Sequence, residues 1–144
     1  MSADLVFNMV AGLLIAAWLL LIFLPRHRIT AVLVQSLLLP CLFACVYFWA
    51  LFVGEPHNDG SGSRSLEAIS TLFESRKALL AAWIQLSSFA LFIGAWQVRD
   101  ACRLGVSQWM VMPCLIVTAI AGPIGLAMYL LLRTALSGNT KLTP

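Results

Sequence analysis

The chain has 144 residues, of which 61% are apolar and 10% are charged, and its mean hydropathy is +0.94. Soluble domains contain about 45–50% apolar residues, so this composition excludes a soluble enzyme domain. The net charge of +3 comes from basic residues scattered singly or in pairs. The sequence contains no basic patch with interleaved aromatic side chains, which is the pattern that would predict a nucleic-acid partner.

The charged residues leave four uncharged stretches, 5–24, 29–53, 78–98 and 109–132. Each is about 20 to 25 residues long, which at ~1.5 Å per residue is enough to cross a hydrocarbon core of ~30 Å. The sequence therefore predicts an all-α integral membrane protein with four transmembrane helices in a small bundle. Residues 1–144 read as a single membrane domain in the lipid bilayer.

The ends of the first stretch give expectations for targeting and orientation. Asp4 precedes it and Pro25 follows it, without the basic start of a signal peptide, so we expect this span to remain in the mature protein. No Arg- and Ser-rich transit segment precedes it, which favours a bacterial cytoplasmic membrane or a chain that lacks an organelle-targeting piece. Asp4 before the span and Arg26 and Arg28 after it favour both termini outside.

The second stretch and the segment after it contain three local signals. Pro40, near the middle of 29–53, predicts a kink. Residues 54–65 are rich in Gly, Ser, Asn and Asp, which is typical of a polar loop. Over 66–74, apolar residues recur at helical spacing, which predicts a short helix at the membrane interface.

The third stretch carries polar and aromatic side chains on one helical face: Gln85, Ser88, Phe89, Phe92 and Trp96. In one interpretation, Gln85 and Ser88 form hydrogen bonds across the helix bundle. In the other, the face lines a pocket for a long apolar ligand that bears a few oxygens. The ligand-binding candidates are Trp83, Gln85, Ser88, Phe92 and Trp96. A ridge of small residues, Ser87, Ala90 and Gly94, favours close helix packing.

Asp100 follows this span and lies between Arg99 and Arg103. It is read either as part of a solvated surface network or as a proton-transfer group, and it is the candidate catalytic residue. In the fourth stretch, a broken or kinked helix with close packing at the break is predicted from Pro113, Gly122, Pro123 and Gly125.

Histidine and cysteine positions argue against a cofactor. No predicted span contains a histidine, and His27 and His57 lie on either side of the second span. Histidine-ligated di-iron and bis-histidine haem proteins are thereby excluded, and we predict no metal and no cofactor. Three of the four cysteines lie in predicted spans, where a thiol behaves as a small apolar group.

The order of several segments resembles the abscisic-acid-deficient-4-like family of small membrane proteins. The resemblance is strongest over 82–133 and rests on Ala82-Trp83-Ile84-Gln85, Leu91-Phe92-Ile93-Gly94, Asp100, Pro113-Cys114, Gly122-Pro123-Ile124-Gly125-Leu126 and Tyr129-Leu130-Leu131-Leu132-Arg133. It implies a four-span protein linked to carotenoid modification, because plant members are associated with neoxanthin synthesis, in which an epoxide end group becomes an allenic alcohol.

Two positions depart from the pattern of that family, which reads A-W-x-H followed by D-L-F in the third span. Gln85 stands at the histidine position and Ala90 at the aspartate position. Neither side chain serves as a general acid or base. The resemblance is therefore extended to membership, topology and ligand class, and not to neoxanthin synthesis.

Two hypotheses of function remain open from the sequence. The first is a protein that binds a carotenoid or other long isoprenoid, with isomerase-type catalysis undecided. The alternative is a non-catalytic membrane assembly or interaction subunit, which uses its small residues to contact a homo-oligomer or another membrane partner. Its motivation is the absence of ionisable side chains from the interior of the predicted spans.

Overall fold

The computed structural model describes residues 3–25, 27–34, 38–52, 70 and 73–137. All secondary structure in these residues is helical, as the composition predicts. The helices are α1 (Ala3–Phe23), α2 (Arg28–Leu33), α3 (Leu38–Phe52), α4 (Arg76–Arg103), α5 (Gln108–Ile120) and α6 (Gly122–Ser137). The predicted polar loop 54–65, and all of the predicted interfacial helix 66–74 except residues 70, 73 and 74, lie outside this description.

Helix length separates two of these helices from the rest. In the described part of the chain, two helices are long and apolar enough to cross a membrane: Asp4–Phe23 in α1 and Arg76–Arg103 in α4. The apolar helices Leu39–Trp49, Gln108–Ile120 and Gly122–Leu136 are shorter. Two helices of the described chain therefore reach the length of a membrane crossing, and the four crossings expected from composition stay a prediction.

The predicted second span contains α2 and α3, and residues 35–37 between them lie outside the description. Pro40 is the third residue of α3, in the first turn, where a backbone N–H has no helical partner and proline is tolerated. A proline disturbs the turn that precedes it, and residues 35–37 of that turn lie outside the description, so the kink at Pro40 stays a prediction. The turn from α1 is tight, because the Thr30 hydroxyl donates to the Leu24 carbonyl at 2.6 Å.

α4 is the central helix, and it packs against α1, α3, α5 and α6. α1 runs parallel to it. At one end the exposed Arg76 and Asp4 side chains approach to 3.6 Å, and the Phe7 and Trp83 rings follow at 4.7 Å between centroids. Further along, the Trp18 ring covers Gly94 so closely that a Cβ there would lie 2.8 Å from two ring atoms. The chain between these two helices must therefore return to the level at which α4 begins.

α4 ends at a glycine that requires a left-handed backbone. Gly105 has φ of +69°, its N–H donates to Cys102, and the Val106 N–H donates to Ala101. These two bonds form a Schellman motif, which satisfies carbonyls at the end of the helix. The chain consequently reverses over 104–107, and α5 begins beside the end of α1, where Gln108 Nε2 donates to the Leu21 carbonyl at 3.4 Å.

The predicted fourth span is two helices folded back on each other. Ala121, with φ of −137° and ψ of 70°, separates α5 from α6. Seven residues apart in sequence, Gly125 and Thr118 pack so tightly that a Cβ on Gly125 would overlap the Thr118 backbone. In a helix that continued past a mild kink, such residues would lie about 10 Å apart. The sequence predicts the place of the break, and the structure adds the reversal.

Candidate functional site

A cluster of polar side chains is buried where α4, α5 and α6 meet. We call it the polar cluster, and it consists of Gln97, Asp100, Thr118, Tyr129 and Arg133. Burying such groups in an apolar protein is costly unless each is hydrogen-bonded. In the described residues, every buried side-chain nitrogen or oxygen has a partner.

The first part of the polar cluster joins all three helices through one amide. Gln97 is fully buried, and its Nε2 donates to Thr118 Oγ1 at 3.0 Å, with a longer contact of 3.5 Å to the Gly125 carbonyl. The Thr118 hydroxyl donates in turn to the Cys114 carbonyl at 2.7 Å, one turn earlier in α5. Gln97 therefore holds α4 against both arms of the reversal.

The second part is a carboxylate with two donors. Asp100 Oδ2 accepts hydrogen bonds from Tyr129 Oη and from Arg133 Nε, both at 2.8 Å. The Asp100 side chain is 10% exposed and that of Arg133 is 5% exposed, so the ion pair is shielded from water. A paired, doubly hydrogen-bonded carboxylate of this kind fixes the position of α6 on α4.

Helical spacing explains why these residues meet. Gln97 and Asp100 are three residues apart and share one face of α4, while Gly125, Tyr129 and Arg133 recur every four residues on one face of α6. The Trp96 ring, one position before Gln97, meets Tyr129 edge-on at 5.6 Å and 85°. The contact faces of α4 and α6 are therefore polar in their centre and aromatic at the edge.

The chemistry available to the polar cluster is limited because its hydrogen-bonding atoms already have partners within the chain. Oδ2 of Asp100 is occupied by two donors, and the Tyr129 phenol, 1% exposed, donates to that same oxygen. The arrangement therefore serves first to position helices. Arg99 and Arg103, the neighbours from which a surface network was expected, are exposed on α4, whereas the partners that the structure gives Asp100 come from α6.

A separate apolar cleft of about 530 Å³ lies between α1 and α3. It is partly open, and its lining side chains Met9 and Leu42 are exposed. Its walls are almost entirely apolar, and they comprise Val6, Met9, Val10, Leu13, Leu42, Phe43, Cys45, Val46 and Trp49. Such a cleft accepts an elongated apolar ligand and offers it almost no hydrogen bond.

The predicted ligand face of α4 lies outside that cleft. Gln85 and Phe92 are exposed, Phe92 by 53%, whereas Ser88 and Trp96 are half-buried. Trp83 is also half-buried and packs on Phe7. Of these five candidates, Trp96 is the one that the structure brings against the polar cluster.

The residues predicted to break and pack the helices have distinct surroundings. Pro113 lies within α5 and is exposed, Gly122 begins α6 with open space around it, and Pro123 follows it on the exposed side. Gly125 alone among them is buried in a close contact. Gly125 is therefore the residue that allows α6 to approach α5.

Four members of the polar cluster were missed as site residues: Gln97, Thr118, Tyr129 and Arg133. The sequence carries a signal for three of them. Gln97 precedes Asp100 by one turn, and Tyr129 precedes Arg133 by one turn, which makes two polar pairs at the ends of apolar helices. Among the described residues no group of three or more His, Cys, Asp or Glu side chains could hold a metal. The four cysteines are unpaired, with Cys114 buried and the others exposed.

A family model described as ABA DEFICIENT 4-like matches residues 5–129. The chain belongs to this family. The matched part of this ABA DEFICIENT 4-like protein includes both walls of the cleft, Gln97, Asp100 and Tyr129, and it ends before Arg133. No curated protein and no solved structure matches the chain.

Proposed function

We propose that this ABA DEFICIENT 4-like protein is an integral membrane protein that binds a long isoprenoid, with a carotenoid as the first candidate, in the cleft between α1 and α3. The observation that carries the proposal is the cleft itself, about 530 Å³ in volume and apolar on both walls. Ligand sites typically have volumes of about 300–1,000 Å³. A cleft near the middle of that range holds part of a long chain, and the rest extends through the open side.

The position of the cleft suits a ligand that arrives from the lipid. Its α1 wall, Val6 to Leu13, belongs to a helix long and apolar enough to cross a membrane. Its open side is bordered by apolar side chains, so a ligand dissolved in the bilayer enters without crossing a polar barrier. A rigid polyene loses little conformational entropy on binding, which favours it over a flexible acyl chain.

Family membership supports a carotenoid or other isoprenoid as the ligand. The side chains present favour binding of that ligand over its chemical conversion. The resemblance links the family to carotenoids, but Gln85 and Ala90 stand at the histidine and aspartate positions of its pattern. The buried carboxylate of Asp100 is already held by Tyr129 and Arg133. The proposal is therefore restricted to binding, and no catalytic step is assigned.

The test is purification from a carotenoid-producing host, followed by absorbance spectra and chromatography of extracted pigments. Cys45→Trp fills the cleft, while Cys41→Trp, one turn earlier on α3, is exposed and does not line it. We expect Cys45→Trp to reduce bound pigment at least several-fold and Cys41→Trp to retain it. Wild-type protein that carries only phospholipid, or equal pigment in both variants, would overturn the proposal.

The second candidate function that we propose is a membrane assembly subunit, in which a partner covers an exposed apolar face. The outward face of α4 exposes Leu86 by 71%, Phe89 by 61% and Phe92 by 53%. If this face contacts a partner or a second copy, Phe89→Ala with Phe92→Ala will reduce the size of the detergent-solubilised complex, whereas the control Ile124→Ala on α6 will not.

The small-residue ridge does not supply a clean test of assembly, because Gly94 is already covered within the chain. Trp18 of α1 lies over it, so a larger side chain at 94 disturbs the packing of α1 on α4. Unchanged complex size in the α4 double variant, together with normal pigment content, would leave isoprenoid binding as the better supported function.

A further inference from the structure

We propose that α5 and α6 form a re-entrant hairpin, which enters and leaves the membrane on the side where α1 ends. The chain would then cross three times, through α1, through the α2–α3 segment and through α4. Asp4 and Leu136 would lie on opposite sides of the membrane. The sequence alone favours both termini on one side, so the two arrangements make different predictions.

The lengths of the two helices are the first support. α5 has 13 residues and α6 has 16, which correspond to ~20 Å and ~24 Å at ~1.5 Å per residue. Each is shorter than a hydrocarbon core of ~30 Å. If α5 and α6 were joined end to end, together they would be long enough to cross the membrane. The direction in which each helix runs therefore decides between a crossing and a hairpin.

The direction of α6 is shown by its contacts with α4. Gly125 of α6 meets Gln97, and further along α6 both Tyr129 and Arg133 meet Asp100. Residue numbers therefore rise together in the two helices, and α6 runs toward the same end as α4. α5 starts from that end, because Gln108 bonds to Leu21 near the end of α1.

The polar contacts oppose a single broken crossing. If α6 continued in the direction of α5, Arg133 would lie across the membrane from Asp100, and the ion pair of 2.8 Å could not form. Asp100 would then be a carboxylate without its cation at the border of the hydrocarbon, which is strongly unfavourable. The reversal at Ala121 avoids that cost, and the tight Thr118–Gly125 contact allows it.

The hairpin also changes the balance of positive charge between the two sides. By their place in the sequence, the side where α1 ends carries Arg26, Arg28, Arg99, Arg103, Arg133 and Lys141, and the other side carries Arg64, Arg76 and Lys77. Basic residues are enriched in cytoplasmic segments near the membrane. The proposed topology therefore places Asp4 on the outer side of the membrane. It places Arg133, and the end of the polar cluster to which Arg133 belongs, on the cytoplasmic side.

Cysteine accessibility in sealed vesicles of both orientations tests the inference. In a variant with all four native cysteines replaced by alanine, single cysteines are introduced as Ser75→Cys before α4, Leu136→Cys at the end of α6, or restored at 102. All three positions are exposed. We expect a membrane-impermeant maleimide to label 102 and 136 from the cytoplasmic side and 75 from the other. Labelling of 136 together with 75 would overturn the proposal.

A second measurement separates a re-entrant hairpin from one that lies outside the hydrocarbon. Ile120, at the tip, is 84% exposed in the isolated chain, so Ile120→Cys leaves the packing intact. We expect a fluorophore at this position to be quenched by lipids that carry a quencher on their acyl chains, and the cysteine to be protected from the impermeant reagent on both sides. Labelling by that reagent from either side would overturn the proposal. Neither result depends on whether pigment is bound.

Discussion

Asp100 on α4 and Tyr129 on α6 are joined by a buried hydrogen bond of 2.8 Å although 29 residues separate them. The same carboxylate oxygen holds Arg133, 33 residues away. This one atom therefore fixes the last helix of the described chain against the central one. The most direct consequences of the structure concern the stability of this contact and of the reversal that makes it possible.

Replacing Asp100 should be more costly than removing the hydroxyl of its donor Tyr129. Asp100→Ala leaves Arg133 buried without this carboxylate, and breaking a buried ion pair costs about 3–5 kcal/mol. Tyr129→Phe removes one hydrogen bond to a charged group, which is worth about 1.5–3 kcal/mol. Thermal unfolding in detergent should rank the variants in this order. The exposed Arg103→Ala is the control, and a loss there as large as that of Asp100→Ala would restore the surface-network interpretation.

Gly125→Ala should be the most disruptive single-methyl change in the α5–α6 hairpin. The added Cβ would overlap the Thr118 backbone, which cannot move aside as a flexible side chain can. Gly122→Ala is the matched control, because nothing lies within 4 Å of a Cβ there. We expect reduced yield of monodisperse protein, or a Tm lower by several degrees, for Gly125→Ala alone. Equal behaviour of the two variants would contradict the tight crossing.

Gln97 and Thr118 should show energetic coupling in a double-mutant cycle. Thr118→Val removes the best acceptor of the buried Gln97 amide, and an unsatisfied buried group costs about 1–3 kcal/mol. Gln97→Leu with Thr118→Val removes both polar groups, so the double variant should lose less stability than the sum of the single variants. Unfolding in a denaturing detergent titration measures all four corners. Additive losses would show that the two side chains act independently.

The sequence was sufficient for the helical class and the family, and for part of the polar cluster. Asp100 was identified as a candidate, but its partners were sought at Arg99 and Arg103 because these are its neighbours in sequence. The partners that the structure shows depend on the angle between α5 and α6. Gly122 and Pro123 predict a break in the helix, but a glycine-proline pair is compatible both with a kink and with a full reversal of the chain.

The two glutamines of α4 show a second reason for the limits of sequence reasoning. Gln85 and Gln97 lie in the same apolar stretch, and either could be the one that forms hydrogen bonds inside the bundle. The structure leaves Gln85 exposed and buries Gln97 completely. Because α4 has neighbours on several sides, its apolar residues surround much of the helix and their periodicity does not identify the inner face.

The parallel pairing of α1 with α4 bears on the order of events during synthesis. The buried face of α1, from Val6 to Leu21, packs against a helix that begins about 70 residues later in the chain. A nascent chain that ends before Arg76 therefore contains a membrane-length helix, α1, whose main partner, α4, has not yet been made. If α1 is inserted in a membrane, as we propose, lipid tails solvate that apolar face at little cost, and insertion of α1 precedes assembly of the bundle as a separate step. Trp18 reaches its place over Gly94 only after α4 has been made.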